Sequence, residues 1–113
     1  MSKYVEIRSY TLKPGSGREY HRLVVAAAMP MLARHQIDVV AHGPSRHDAD
    51  AYYLIGAYDS LAHRESSEDA FYGSAEWRQG PREAILSLIE TYTEVVLEMD
   101  EATVDGLRRV DKS

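Results

Sequence analysis

The alternation of apolar and polar positions opens the chain with a strand. Over residues 4–12, Tyr4, Glu6, Arg8, Tyr10 and Leu12 fall on one face and Val5, Ile7, Ser9 and Thr11 on the other, because successive side chains of an extended chain point to opposite sides. Pro14-Gly15 ends that run. Ser16 and Glu19 have the spacing of a capping box, which predicts a helix from about Gly17. Tyr20, Leu23, Val24, Ala27 and Met31 recur at helical spacing, and the helical run is expected to end near His35. Pro30 lacks an amide donor and crowds the carbonyl four residues earlier, so a kink or a fresh turn is expected there. Residues 37–42 are rich in valine and isoleucine, and Gly43-Pro44-Ser45 marks them as an edge strand running into a polar loop at 46–50. Residues 51–59 read as a long central strand that pairs with it as a hairpin. Ser60 is placed to cap a second helix, whose stretch from Arg64 to Asp69 is strongly polar and whose apolar contacts are Leu61, Phe71 and Tyr72. A short turn holds Trp77. Pro81 opens a further helix that buries Ile85, Leu88 and Ile89, and residues 91–99 form the last strand. Beyond Met99 the chain is mixed in charge, with Val104, Leu107 and Val110 spaced by three. This is a frayed tail or a short helix that docks on a partner subunit.

Strand, helix, strand, strand, helix, strand is the ferredoxin-like βαββαβ order, an α+β fold with helices on one face of a four-stranded antiparallel sheet. Residues 1–99 make up the domain and 100–113 its tail. All four strands carry aromatic or β-branched residues on both faces, so a lone monomer would leave Tyr, Val and Leu in water on the face without helices. Formation of a homodimer through the sheets is the simplest cover.

Composition narrows the partners. The 113 residues carry 18 acidic and 13 basic side chains, a net charge of -5, which provides no basic stripe for nucleic acid or an anionic membrane. A small-molecule or protein partner fits better. There is no cysteine, so disulfides, thiolate metal sites and cysteine nucleophiles are excluded. No stretch approaches the roughly 20 apolar residues of a membrane span, and a cytoplasmic protein is expected.

The candidate chemistry rests on arginine, tyrosine and histidine. Arg8 and Tyr10 lie two apart on one strand face, where a guanidinium and a phenol can point into one cavity. With Tyr10 or Tyr53 as hydrogen-bond donor and His42 or His35 to move a proton, Arg8, Tyr10, His42 and Tyr53 form the candidate catalytic set, directed at a carboxylate or enolate oxygen. The plainer reading pairs Arg8 with Glu6 or an acid of a neighbouring strand and sends the tyrosines to the core or dimer interface. His42, His47, Asp48 and Asp50 hold metal-ligand chemistry within one hairpin. Ligands on a loop lack fixed spacing, so a solvated polar tip is expected and no metal. Of the other histidines, His35 is expected at a helix C-terminus, and His21 and His63 on helix surfaces. Trp77 is read as a core anchor. Asp38 with Glu94 or Glu98 would require two edge strands to meet and is set aside. There is no glycine-rich phosphate loop or nucleophile elbow, and no motif singles out a helical histidine as a haem ligand. No cofactor is expected.

Four spaced motifs carry a resemblance. Arg8-Ser9-Tyr10-Thr11-Leu12-Lys13-Pro14-Gly15, Met31-Leu32-Ala33-Arg34-His35, Ala57-Tyr58-Asp59-Ser60-Leu61-Ala62-His63-Arg64 and Glu76-Trp77 occur in an order that resembles the NIPSNAP family, over about residues 4–99. The resemblance implies a dimeric α+β barrel, in which two ferredoxin-like sheets close on each other in a homodimer. The wider barrel superfamily includes cofactor-free monooxygenases, isomerases, dehydratases and haem enzymes, so the resemblance names no single reaction. Two features depart from the common pattern. Many NIPSNAP-like chains carry a glycine after the histidine that closes the first helical region, where this chain has Gln36, and the connection 43–51 carries His47, Asp48 and Asp50.

Two functions of different class follow. One is a cofactor-free enzyme or binder acting on a small aromatic or carboxylated molecule in a pocket between sheet and helices. The other is a non-catalytic dimeric binding or protein-interaction module whose interior is filled by its own side chains. An open cavity lined by the candidate residues separates them.

Overall fold

The alternating runs form the four strands of one antiparallel sheet, β1 (Ser2–Leu12), β2 (Asp38–Pro44), β3 (Ala51–Tyr58) and β4 (Ile89–Asp100), in the order β2-β3-β1-β4. The structure is a computed structural model and describes residues 1–110; the last three residues of the predicted tail lie outside the described residues. β2 and β4 are the edges, as expected. The helical segments are α1 (Gly17–Leu23), a wide π turn (Val24–Ala28), α2 (Met29–Arg34), α3 (Leu61–Tyr72), α4 (Ala75–Gln79), α5 (Arg82–Leu86) and α6 (Glu101–Leu107). None of these helices is long and apolar enough to cross a membrane.

Register fixes the two faces of the sheet. Arg8 lies opposite Leu54 and Glu94, and Tyr10 opposite Tyr52 and Tyr92, so these share one face. Val5 lies opposite Ala57 and Leu97, and Ile7 opposite Ile55 and Val95, on the other. α1 to α5 cover the first face, where Leu12, Met31, Leu32, Phe71, Trp77 and Ile85 are buried in one core. α6 lies on the second face of its own chain. There Val104 packs with Val5, Val40, Ile55 and Ala57, and Arg108 grips Asp38 through two hydrogen bonds of 2.8 and 2.7 Å. The β4 side of that face stays open, with Val95 49% and Leu97 42% exposed.

The first helix starts differently from the predicted capping box. The Ser16 side chain does not cap α1; its hydroxyl donates to the Lys13 carbonyl, and Glu19 pairs with Arg22. The Asp50 carboxylate takes the capping place, accepting from the amides of Gly15 and Gly17 at 2.9 and 3.0 Å. The loop that brings it there passes so close that a Cβ on Gly17 would lie 1.9 Å from the Ala49 carbonyl oxygen. Pro30 sits in the first turn of α2, which continues the helical run, and the irregularity expected there is the π turn just before it. α2 closes in a Schellman motif, the Ile37 amide bonding the Leu32 carbonyl and the Gln36 amide the Ala33 carbonyl, each at 3.0 Å. Ser60 and Ser74 cap α3 and α4 by accepting from the amides of His63 and Trp77. The last helix of the domain is shorter than predicted: Leu88 lies beyond α5, and Ile89 already begins β4.

Candidate functional site

A cavity of about 540 Å³, open to solvent, lies between the helix-side face of the sheet and the helices. Arg8 and Tyr10 of β1, with Tyr52 and Tyr92 from the strands on either side, make its floor. Its walls are the Tyr20 ring of α1, Phe71 and Tyr72 of α3 and Trp77 of α4. The rings brace one another: Tyr20 meets Tyr52 edge-on at 5.0 Å between centroids, and Phe71 and Tyr72 each lie within 5.5 Å of Trp77. Val24 and Ala28 of the π turn present only short side chains on this side, which keeps the space between the rings.

The charged end of the floor is a network. Arg8 Nε donates to Glu6 Oε1 at 2.6 Å, its Nη2 to Glu68 Oε2 at 3.3 Å and its Nη1 to the Tyr72 hydroxyl at 3.2 Å. Arg64 of α3 holds the other oxygen of Glu6 at 2.6 Å and reaches Glu94 of β4 at 3.5 Å. The Tyr58 hydroxyl donates to Glu68 at 3.2 Å. The guanidinium of Arg8 also lies over the Tyr72 and Tyr92 rings at 5.5 and 5.7 Å. Burial, and then the adjoining Glu6 carboxylate, push Glu68 up to about 7. Burial works against the Glu6 charge too, but the hydrogen bond from Glu68 and the two arginines outweigh it and hold Glu6 below the usual carboxylate value. Burial likewise raises the Tyr10 and Tyr72 hydroxyls, which stay protonated at neutral pH.

A second polar group stands behind the floor. The Tyr52 hydroxyl lies 2.7 Å from His21 Nδ1 and 3.0 Å from His42 Nδ1. One phenol proton cannot serve both rings, so the hydroxyl donates to one imidazole and accepts from the other, whose Nδ1 carries hydrogen. Burial, then the neighbouring His21 ring, lowers the pKa of His42, and burial raises that of Tyr52.

The structure brings Arg8 and Tyr10 together on the cavity floor and puts His42 one step behind it, through Tyr52. Tyr53 lies opposite Ser9, on the other face of the sheet, its ring against Gly43. It does not meet the other three. The plainer expectation for Arg8 also holds, since it pairs with Glu6 while facing the cavity. His35 closes α2 and meets Phe71 edge-on at 5.2 Å. His21, expected on a helix surface, is instead bonded to Tyr52. His63 Nδ1 accepts from the Asp59 amide at 2.9 Å. In the hairpin, His47 pairs with Ser45, and the Asp48 carboxylate accepts from the Asp50 amide. Among the described residues no group of three or more histidines and carboxylates is arranged to hold a metal. Sequence reasoning missed Tyr52, Glu68 and Arg64. Arg64 and Glu68 are four apart on one helix face, a spacing that does signal a shared environment.

No curated protein matches the chain. A NIPSNAP family protein from Agrobacterium tumefaciens superposes with a TM-score of 0.80 at 19% identity, covering 88% of this chain and 87% of that one. A second NIPSNAP family protein from the same organism, of unknown function, gives 0.78 at 22% identity over 87% and 88%. An uncharacterized NIPSNAP domain protein from Burkholderia xenovorans gives 0.73 at 19% over 83% and 91%. These likenesses establish the fold, and the NIPSNAP family model matches residues 5–99. With the ferredoxin-like sheet and the ordered motifs along it, that match makes this chain a member of the NIPSNAP family.

Proposed function

We propose that the protein binds a small, ring-bearing molecule with a carboxyl or carbonyl oxygen in the cavity between sheet and helices. The observation that carries this reading is an open space of about 540 Å³ walled by aromatic rings with the Arg8 guanidinium on its floor. That volume lies within the range of small-molecule sites, and apolar walls with a few placed polar groups are how such sites orient a ligand. A guanidinium has five N–H donors, more than Glu6, Glu68 and Tyr72 occupy, so Arg8 retains donors for a ligand oxygen. Acid–base chemistry without a cofactor fits the same setting, with Tyr52 on the floor and His21 and His42 bonded to its hydroxyl. An interaction module filled by its own side chains would lack this space.

The working unit in this reading is a homodimer joined through the sheets, because Val95 and Leu97 face water on the side away from the cavity.

The test uses 2-naphthoate and the neutral 2-naphthamide as probes, read by quenching of Trp77, the single tryptophan of the chain. Saturable quenching is expected, and it should disappear in Ala28→Phe, whose ring fills the space while circular dichroism reports an intact fold. Absence of saturable quenching by both probes, or quenching indifferent to the added ring, would overturn the reading.

A further inference from the structure

The Arg8 end of the cavity holds more acid than base. Three carboxyl groups, Glu6, Glu68 and Glu94, surround two guanidiniums, Arg8 and Arg64. The titratable groups come from four elements, Glu6, Arg8 and Tyr10 from β1, Tyr58 from β3, Glu94 from β4, and Arg64, Glu68 and Tyr72 from α3, while β2 and α2 border the cluster through Val39 and Leu32. The three hydroxyls are neutral and do not change the balance. Glu6 is 4% exposed, and the void between this cluster and α2 is about 20 Å³, room for about one water. Solvent reaches Glu94, whose side chain is 37% exposed, but is a poor source of compensation for Glu6 and Glu68. A buried excess carboxylate stays charged only at a high cost, so its affinity for a proton rises. Of the two enclosed carboxyl groups Glu68 is the less well paired: Glu6 takes 2.6 Å bonds from both arginines, whereas Glu68 has Arg8 at 3.3 Å and Arg64 at 3.6 Å, and without a ligand it is only part-protonated near neutral pH.

Arg82 also lines the cavity but is paired with Glu83 at 2.6 Å, so bringing a ligand carboxylate to Arg8 would set four acidic groups against the same two guanidiniums. We infer that an anionic ligand enters this end of the cavity together with a proton from solution, which Glu68 holds, so that the site takes organic acids and couples their binding to proton uptake. The step is a protonation of a Glu68 oxygen by hydronium or buffer acid, which gives up the proton, and it breaks no bond of the protein or the ligand. It rests on the cavity being a ligand site, as proposed above, and adds what kind of ligand the site accepts and what accompanies it. Neutral ligands with a carbonyl oxygen place no fourth charge on the cluster, and their binding carries no proton.

Binding of 2-naphthoate and 2-naphthamide at about pH 6 and about pH 8 tests the coupling, since naphthoate stays ionised across that range. With Glu68 titrating at about 7, its protonated fraction falls roughly tenfold between those conditions, and the affinity for naphthoate should fall by the same factor. Naphthamide should bind equally at both. Glu68→Gln, which fixes a neutral side chain of the same shape, should hold naphthoate with one affinity at both pH values. Equal affinity of the unmodified protein for naphthoate at the two pH values overturns the coupling while leaving the cavity a binding site, and so does a tenfold fall that persists in Glu68→Gln. If that variant fails to fold, calorimetry of naphthoate binding to the unmodified protein at about pH 8, where Glu68 starts mostly ionised, in two buffers of different ionisation enthalpy reads proton uptake directly, and zero uptake overturns the inference. Should neither probe bind at any pH, the cavity reading fails and takes the coupling with it.

Discussion

Gln36 stands at φ 59°, a left-handed conformation that glycine adopts without cost and other residues do not. It occupies the turn position of the Schellman motif at the end of α2, and it is the position where resemblance to the family leads one to expect glycine. The physical reason for that glycine is thus on view in a chain that lacks it. Gln36→Gly should raise stability by about 0.5–1 kcal/mol, the strain relieved less the added freedom of the unfolded chain. A urea midpoint that falls instead would show that the Gln36 side chain contributes more than its backbone costs. The same scale shows where reading the sequence stops. Alternation along β1 correctly puts Arg8 and Tyr10 on one face, since it needs only the period of a strand. Choosing between Tyr52 and Tyr53 needs the pairing of β3 with β1, which the chain between them sets, and a difference of one residue moves a side chain to the opposite face. Tyr52 is the one opposite Tyr10.

Among the elements, those announced by short-range chemistry were legible. Ser60 caps α3 as its type and place predict, and Pro30 marks an irregular helix. The start of α1 was not, because its cap is Asp50, far along the chain and delivered by a hairpin loop. α3 reads in sequence as a mostly exposed polar helix, yet Arg64 and Glu68 turn inward to Glu6 and Arg8, so its polar face is itself divided. The spacing of Val104, Leu107 and Val110 allows a frayed tail or a helix docking on a partner subunit; α6 instead packs on the sheet of its own chain, with Val104 as its buried side chain and Leu107 packed beside it. Val104→Ala should therefore cost about 1–2 kcal/mol, the loss of two buried methyl groups plus an imperfectly closed gap. Urea unfolding reads this directly. An unchanged midpoint would mean that α6 opens and closes independently of the sheet beneath it.

At the scale of the whole molecule, the order of strands and helices is enough to specify a ferredoxin-like sheet, because few connections satisfy that order. The pairing of Arg8 with Glu6 and with a neighbouring-strand acid was legible in the sequence, but the closed cluster was not, since it forms only when β1, β3, β4 and α3 have all come together. The sheet has divided its two faces between two tasks, a cavity on one and an apolar strip beside α6 on the other. If that strip joins two copies, the unmodified protein should run in light-scattering chromatography at twice the chain mass, and Val95→Lys with Leu97→Lys should run at the chain mass. A monomeric unmodified protein at about 100 μM, tighter than which a stable interface of standard size holds, would remove the sheet face as the interface.

The wide turn at Val24–Ala28 carries a geometric message of its own. In an unbroken α-helix every fourth residue drifts sideways by about 40°, so positions 20, 24, 28 and 32 would spiral away from any one direction. Tyr20, Val24, Ala28 and Leu32 nevertheless all border the same cavity, because the slower winding of a π turn takes up most of that drift. The height of this wall is therefore written in a count of residues as much as in their identities. A one-residue deletion within the turn would restore a regular helix and swing one end of the wall out of line, reshaping the pocket without replacing a single group that lines it.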